Sequence, residues 1–337
     1  MNSQGRYKTG ALRTVAPIRA SVRALSADDA IAIELAVAIL GVRATEPVVA
    51  IIPNDDSELL PSGPFRPNEH TTLEGGVRAW VHAQAGVELG GLRQLHADSD
   101  PAERQGAGAG SHIVSISYVA LAGPGQCNDR TRAAWRSWYA FFPWEDWRRG
   151  KPACLNQLEQ RLHVWASEQG PPCSSTRTAD RAHRVRIAFG ESAGWDEDKV
   201  LERYQLMQEA GVIGLEPARV TDSAAPRIGH ALRGDHALIL ARAIGDLRRA
   251  VKIRPVVFEL MQEAFTLFEL QRVVEAILGP HLHKQNFRRL VESCGLVEPV
   301  GDLRLRTGGR PARLYRFRPD VVFERACPGV RLKPGRA

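Results

Sequence analysis

FTLFELQRVVEAILGPHLHKQNFRRLVESCGLVEP (residues 265–299) and LRLRTGGRPARLYRFR (303–318) decide the fold of the C-terminal third. Thr266 is a good N-cap, and Glu269 three residues later completes a capping box. The first helix then covers Leu267–Leu278, with Leu270, Val273, Val274 and Ile277 on one face and Gly279-Pro280 as its stop. A second helix over Lys284–Cys294 turns Phe287, Leu290, Val291 and Cys294 inward. It leaves Lys284, Gln285, Asn286, Arg288, Arg289 and Glu292 outside. Strands at Leu303–Arg306 and Arg313–Arg318 flank Thr307-Gly308-Gly309-Arg310-Pro311, where the glycines permit a positive-φ tip. The pattern is a winged helix-turn-helix.

Long polar and cationic side chains at the start of the second helix suit base edges in a major groove, and cations on a wing suit phosphate or a minor groove. Thr266, Lys284, Gln285, Asn286, Arg288, Arg289, Arg306, Thr307, Arg310 and Arg313 are the candidate DNA contacts. The charge distribution agrees. From His230 onward there are 20 Lys and Arg against 11 Asp and Glu, a balance of +9. The rest holds 25 against 27, so the whole net charge of +7 comes from the C-terminal third. A basic balance confined to one module points to a polyanion partner there.

The other bounds are plainer. The chain has 337 residues, 44% hydrophobic and 25% charged, which suits a globular protein of more than one domain. Its five cysteines (Cys127, Cys154, Cys173, Cys294 and Cys327) are odd in number and widely spaced, which argues against a disulfide framework or a zinc ribbon and for a reducing compartment. No apolar run is long enough to span a bilayer, so no membrane partner is expected. Together these imply a cytoplasmic, nucleoid-associated protein.

Working toward the N-terminus, the expected class is α+β: a mixed-sheet domain followed by the winged domain. Residues 1–25 read as a flexible basic arm, 26–170 as a sensing domain, 171–232 as a helical linker segment, 233–325 as the winged domain and 326–337 as a tail. Ala30–Ile52 reads as a strand hairpin, and LEGGVRAWVHAQAGVEL as a helix that Gly86 stops. Leu89–His96 and His112–Leu121 are a further strand pair. Trp135–Trp147, dense in aromatics, reads as a last strand running into a turn. Leu155–Glu168 is a helix, Ser167–Asp180 a loop, and Asp196–Gly214 a helix with Asp196 as N-cap. Asp235–Val251 is amphipathic, and serves either as a dimer helix or as the first helix of the winged domain.

LPSGPFRPNEHTTLEGGVRAWVHAQAGVEL (residues 60–89) resembles a Nudix box. Gly63, Glu69, Gly86 and Val87 fit the pattern, with a longer spacer after Glu69. Counted back from Gly86, Ala79 stands at the arginine position, Trp80 at the first glutamate, and Ala83 and Gln84 at the glutamate pair. A hard divalent cation needs several carboxylates there, so neither a metal nor a catalytic residue is expected, although Glu74 and Glu88 lie nearby. Phe65, Arg66, Glu69 and Arg78 are the candidate ligand residues. Trp138, Tyr139 and Trp144 are either adenine-stacking rings or core.

A Nudix-like segment ahead of this winged helix resembles the Nudix-related transcriptional regulators of NAD metabolism, most closely the NadQ type and the related NrtR. HIVSISYVAL, WRSWYAFFPWEDW and RPVVFELMQEAFTL extend the likeness over most of Ala30–Arg318. The resemblance implies a repressor of NAD-biosynthesis genes, a homodimer on a palindromic duplex operator. Its effector would be an adenine nucleotide such as ADP-ribose, NAD or ATP, with no resident cofactor. The alternative is an active Nudix pyrophosphatase with a fused DNA-binding domain.

Overall fold

The computed structural model describes residues 31–54, 57–101, 112–168, 175–190, 194–213, 228–304 and 312–320. Its first sheet is built on β1 (Ile31–Arg43). β2 (Glu46–Asn54) pairs antiparallel with the C-terminal half of β1, and β3 (Ser57–Leu59) extends β2. β4 (Ser62–Pro64) pairs with the N-terminal half of β1 on the same edge, at Glu34–Ala36. After helix α1 (Leu73–Ala85) come β5 (Leu92–Pro101) and β6 (His112–Leu121). β6 lies parallel to β1 and antiparallel to β5, so the sheet is mixed, in the order β3-β2-β1-β6-β5. β7 (Ala134–Ser137) completes it on β2.

Strand periodicity explains how this sheet divides the molecule. Alternate side chains of a strand face opposite ways. Leu35, Val37 and Ile39 of β1, with Val48 and Ala50 of β2, face α1 and pack on its Val77, Val81 and Ala85. Val77 and Val81 are 1% and 0% exposed, and each contributes about 1.5–3 kcal/mol of apolar burial. Ala36, Ala38 and Leu40, with Val49 and Ile51, face the other way into a second core that holds the rest of the chain. The hairpin turn between β1 and β2 leaves Ala44 and Thr45 at φ 48° and 72°, a type I′ geometry that β-branched threonine tolerates poorly. Thr45→Gly is expected to raise the unfolding free energy by about 1 kcal/mol in urea denaturation, with an unchanged slope.

The second core is covered by helices. The aromatic stretch Trp135–Trp147 begins in β7, a strand as read from sequence, and from Trp138 forms a short helix α2 (Trp138–Phe141) and a 3₁₀ turn at Pro143–Glu145. α3 (Ala153–Ser167) and α4 (Ser175–Ala188) follow, and α4 begins inside the stretch that sequence reads as a loop. α5 (Val200–Glu209) starts later than Asp196, because the Asp196 carboxylate accepts from the Asp198 N–H and forms a preceding turn instead of capping. α6 (His236–Ile253) is buried along most of its length, and packs on α5, β1 and the 3₁₀ turn Pro255–Leu260 of its own chain. That surface is committed to the core of its own chain. His236 at its start accepts a 2.9 Å hydrogen bond from the Leu60 N–H through Nδ1.

Burial holds the His236 imidazole below its ordinary pKa against the pull of Asp235. A depressed folded-state pKa means that stability is present above the unfolded value and lost as pH falls below about 6.5. Stability is expected to decline between about pH 6.5 and 5, and to decline less in His236→Asn, whose Oδ1 can still accept. Thermal unfolding across that range checks it.

The C-terminal module is α7 (Leu267–Leu278), α8 (Lys284–Ser293), β8 (Val297–Arg304) and β9 (Ala312–Phe317). Phe265 bridges to Tyr315 through two backbone hydrogen bonds of 2.9 and 2.8 Å, which adds a third element to the β8–β9 wing base. The core does not stop at this module. It runs without a break from Val49 and Ile51 through Trp138 and Phe142 to Leu270, Phe287, Val291 and Tyr315.

Candidate DNA-reading face and ligand cleft

The α7–α8 turn is fixed by polar groups that periodicity leaves on the inner side. Thr266 and Glu269 form the reciprocal capping box at the start of α7. The Thr266 hydroxyl accepts from the Glu269 N–H at 3.1 Å, so this candidate contact is occupied in holding the helix. At the other end, the Leu282 N–H donates to the Glu275 carboxylate at 3.0 Å. The Gln271 amide donates to both Glu275 and the Leu282 carbonyl, at 2.9 and 2.8 Å. Gln271 and Glu275 are 6% and 3% exposed. Sequence reasoning missed both, although their spacing of four on the inner face of a helix was the available signal.

With that turn fixed, α8 inserts Phe287 and Val291, 2% and 0% exposed, and turns its other side outward. Lys284, Gln285, Asn286, Arg288 and Arg289 are all exposed there. Among the described residues Arg288 pairs with Glu292 of its own helix, at 3.6 Å, an exposed pair of the kind worth little. Arg313 is exposed on β9 with its guanidinium 6.0 Å from the Tyr315 ring. Arg306, Thr307 and Arg310 lie outside the described residues. The face can therefore offer amide and guanidinium donors at one helix end, on a backbone that packing holds still.

The ligand candidates divide. Phe65, Arg66 and Glu69 stand together on the loop after β4. The Arg66 guanidinium lies 5.1 Å from the Trp80 ring centroid and pairs with Glu69 at 3.0 Å, while Phe65 packs near His70. Arg78 lies elsewhere. Two helix positions from Trp80 turn it to another flank, where it pairs with Glu74 and donates to the Leu89 and Gly90 carbonyls at 2.6 and 2.9 Å. It clips the loop after α1 and does not join the Arg66 group. Trp138, Tyr139 and Trp144 are 0%, 5% and 1% exposed, so they are core and not stacking rings.

Trp80, Ala83 and Gln84, which the resemblance sets at the glutamate positions of a Nudix box, carry other chemistry. Trp80 donates its indole N–H to the Pro64 carbonyl at 3.0 Å, and a Cβ on Gly63 would sit 2.4 Å from that indole. Gln84 accepts from the Ser62 N–H at 3.0 Å and donates to the Ser62 carbonyl at 2.8 Å. A carboxylate at position 84 would lose the second bond, because it has no donor. Ala83 offers no donor atom. Among the described residues no three His, Cys, Asp or Glu side chains converge, and this donor set does not fit a hard divalent cation. Among the same residues no helix is long and apolar enough to cross a membrane.

A buried ionic cluster joins the 3₁₀ turn Pro143–Glu145 to α5, α6 and the end of α7. Glu145, Arg203 and Arg248 are each 0% exposed. Glu145 accepts from Arg203 at 2.7 and 2.8 Å and from Arg248 at 2.6 Å. Arg203 also donates to the Ala188 and Asp196 carbonyls, and Arg248 to those of Glu197 and Ile277. Burial pushes the Glu145 carboxyl up, but the two guanidiniums more than offset it, and it lies below the ordinary carboxylate value. Tyr139 donates its hydroxyl to the Ala276 carbonyl at 2.8 Å.

Residues 257–317 match the family described as the NrtR DNA-binding winged helix domain. The ADPR responsive transcriptional repressor NtrR of Acinetobacter baylyi is 40% identical over 83 residues, 25% of this chain. The chain spans a third (33%) of the length of that curated relative. Shewanella oneidensis NrtR, solved in complex with a 27mer DNA, is 17% identical with a TM-score of 0.47, covering 86% of this chain and 95% of that one. A MutT/nudix family protein from Enterococcus faecalis is 17% identical with a TM-score of 0.48, covering 88% and 90%. Neither score carries a structural conclusion by itself.

Proposed function

With residues 257–317 an NrtR-type winged helix domain, we propose that this protein is a DNA-binding transcriptional repressor of NAD-biosynthesis genes. Its hold on the operator changes when an adenine nucleotide binds the mixed-sheet domain. The observation that carries the reading is the outer face of α8. Lys284, Gln285, Asn286, Arg288 and Arg289 are exposed together while Phe287 and Val291 lock the opposite face into the core. The matched relative responds to ADPR, which makes ADP-ribose the first effector to try, ahead of NAD and ATP. The Arg66–Trp80 group offers a cation beside an aromatic face, which suits a phosphate and a base.

The mixed-sheet domain acts here as a sensor and not as a hydrolase. Trp80 and Gln84 spend their polar atoms on β4 and its flanking backbone, and Ala83 has none, so nothing at these positions holds a metal that would activate water. The protein works as a homodimer, and a two-fold reader calls for a palindromic site.

Two measurements test this. Calorimetric titration with ADP-ribose, NAD and ATP is expected to show saturable binding of at least ADP-ribose, weakened by Arg66→Ala. Incubating ADP-ribose with Mg²⁺ and the protein is expected to release no product above background. Turnover would instead support the pyrophosphatase reading, and a monomeric scattering mass both free and on DNA would remove the dimer.

A further inference from the structure

α1 and the reading helices are joined by one stretch of chain that caps both. The last four carbonyls of a helix have no intrahelical partner and must find donors elsewhere. At the end of α1, the Ala85 carbonyl accepts from the Arg132 and Ala133 N–H groups at 2.9 and 3.3 Å, and the Ala83 carbonyl accepts from the Arg132 guanidinium at 2.6 Å. The chain then runs antiparallel along β2 as β7, in register with Val48–Ile51. It ends at the last turn of α7, where Tyr139 donates to Ala276, and Arg248, held by Glu145, donates to Ile277 at 2.9 Å. Trp135 donates its indole N–H to the Thr131 hydroxyl at 2.9 Å, whereas Trp138, Trp144 and Trp147 are held by packing, since their indole N–H groups find no acceptor among the described residues. The polar register of this stretch against α7 therefore rests on Tyr139, Glu145 and Arg248.

We propose that residues 132–145 are a coupling strap, and that Tyr139, Glu145 and Arg248 are positioning residues through which a shift of the last turn of α1 resets α7 and α8 against the sheet. The inference deepens the proposed function and rests on it for the meaning of that shift, which is the response to bound nucleotide. Mechanical coupling itself needs neither nucleotide nor DNA, and can be read without them.

The first arm is hydrogen–deuterium exchange of the ligand-free full chain. Arg132 is exposed, so Arg132→Ala loosens the α1 end of the strap without opening the core: the guanidinium bond to the Ala83 carbonyl is lost and the two backbone bonds to Ala85 stay. Exchange over residues 276–293, at the far end of the strap, is expected to rise. Exchange unchanged there would overturn the strap. The second arm is a double-mutant cycle read on affinity for a selected operator duplex, with thermal unfolding as the folding control. Arg132→Ala is expected to weaken binding by about three- to tenfold in the natural chain and by less than about twofold in Tyr139→Phe, which keeps the ring and removes the hydroxyl bond. Independent, additive effects would overturn the proposal. A chain that binds no duplex at all would sink the functional reading, and the exchange arm would still decide the strap.

Discussion

Glu145→Ala is expected to lower the unfolding free energy by about 3–5 kcal/mol, because it strands two guanidiniums in the core. Arg203 and Arg248 are both 0% exposed, and Glu145 is the carboxylate they share. Taking charges out of water is costly, and removing one partner leaves that cost uncompensated. Urea denaturation should show the midpoint fall at constant slope. The pH dependence follows from the same cluster. Burial raises the carboxyl pKa, the two arginines lower it further than burial raises it, and the net shift is downward. A depressed carboxyl pKa contributes stability that is fully present above the unfolded value of about 4.3 and lost as pH falls below it. Below about pH 4 the natural protein should therefore lose stability more steeply than Glu145→Gln.

The second large effect is on DNA. Arg288→Ala is expected to weaken operator binding by about 1–3 kcal/mol, or roughly 5- to 150-fold, and to relax the preference at one base pair. Its exposed pair with Glu292 offers little resistance to redirection into a groove, and its loss should leave thermal unfolding unchanged. Arg310→Ala should weaken all sequences more evenly and reduce the salt slope by about one phosphate contact. Titrations at several salt concentrations separate the two. Unchanged affinity in both variants would contradict the assignment of the face.

What the sequence disclosed, and what it hid, follows from how local each determinant is. α7 reads correctly to the residue because its signals, the Thr266–Glu269 box and Gly279-Pro280, are contiguous. The α1 stop at Gly86 is equally local: the glycine adopts φ 66° and caps the helix. The start of α5 misreads because Asp196 suits an N-cap and a turn alike, and the tertiary bonds of Arg203 choose the turn. The stretch after β7 has strand-like composition, but Trp138 and Trp144 belong to a core contributed by helices far along the chain. The Glu145 cluster was invisible for the same reason, since its arginines lie 58 and 103 residues away. Of the candidate ligand residues, Arg66 and Glu69 read as neighbours and are. Arg78 lies near them in sequence, but helix periodicity places it on another flank than Trp80.

In the proposed function, one face of this chain reads DNA under the control of a nucleotide held by the other half. Duplexes selected by the full chain from a randomised library, then titrated by fluorescence anisotropy with and without ADP-ribose, test it directly. The expected result is one preferred palindromic sequence, bound less tightly as salt rises, with an affinity that ADP-ribose changes by about fivefold or more. A protein that enriches no sequence, or whose affinity is the same with saturating ADP-ribose, would contradict it.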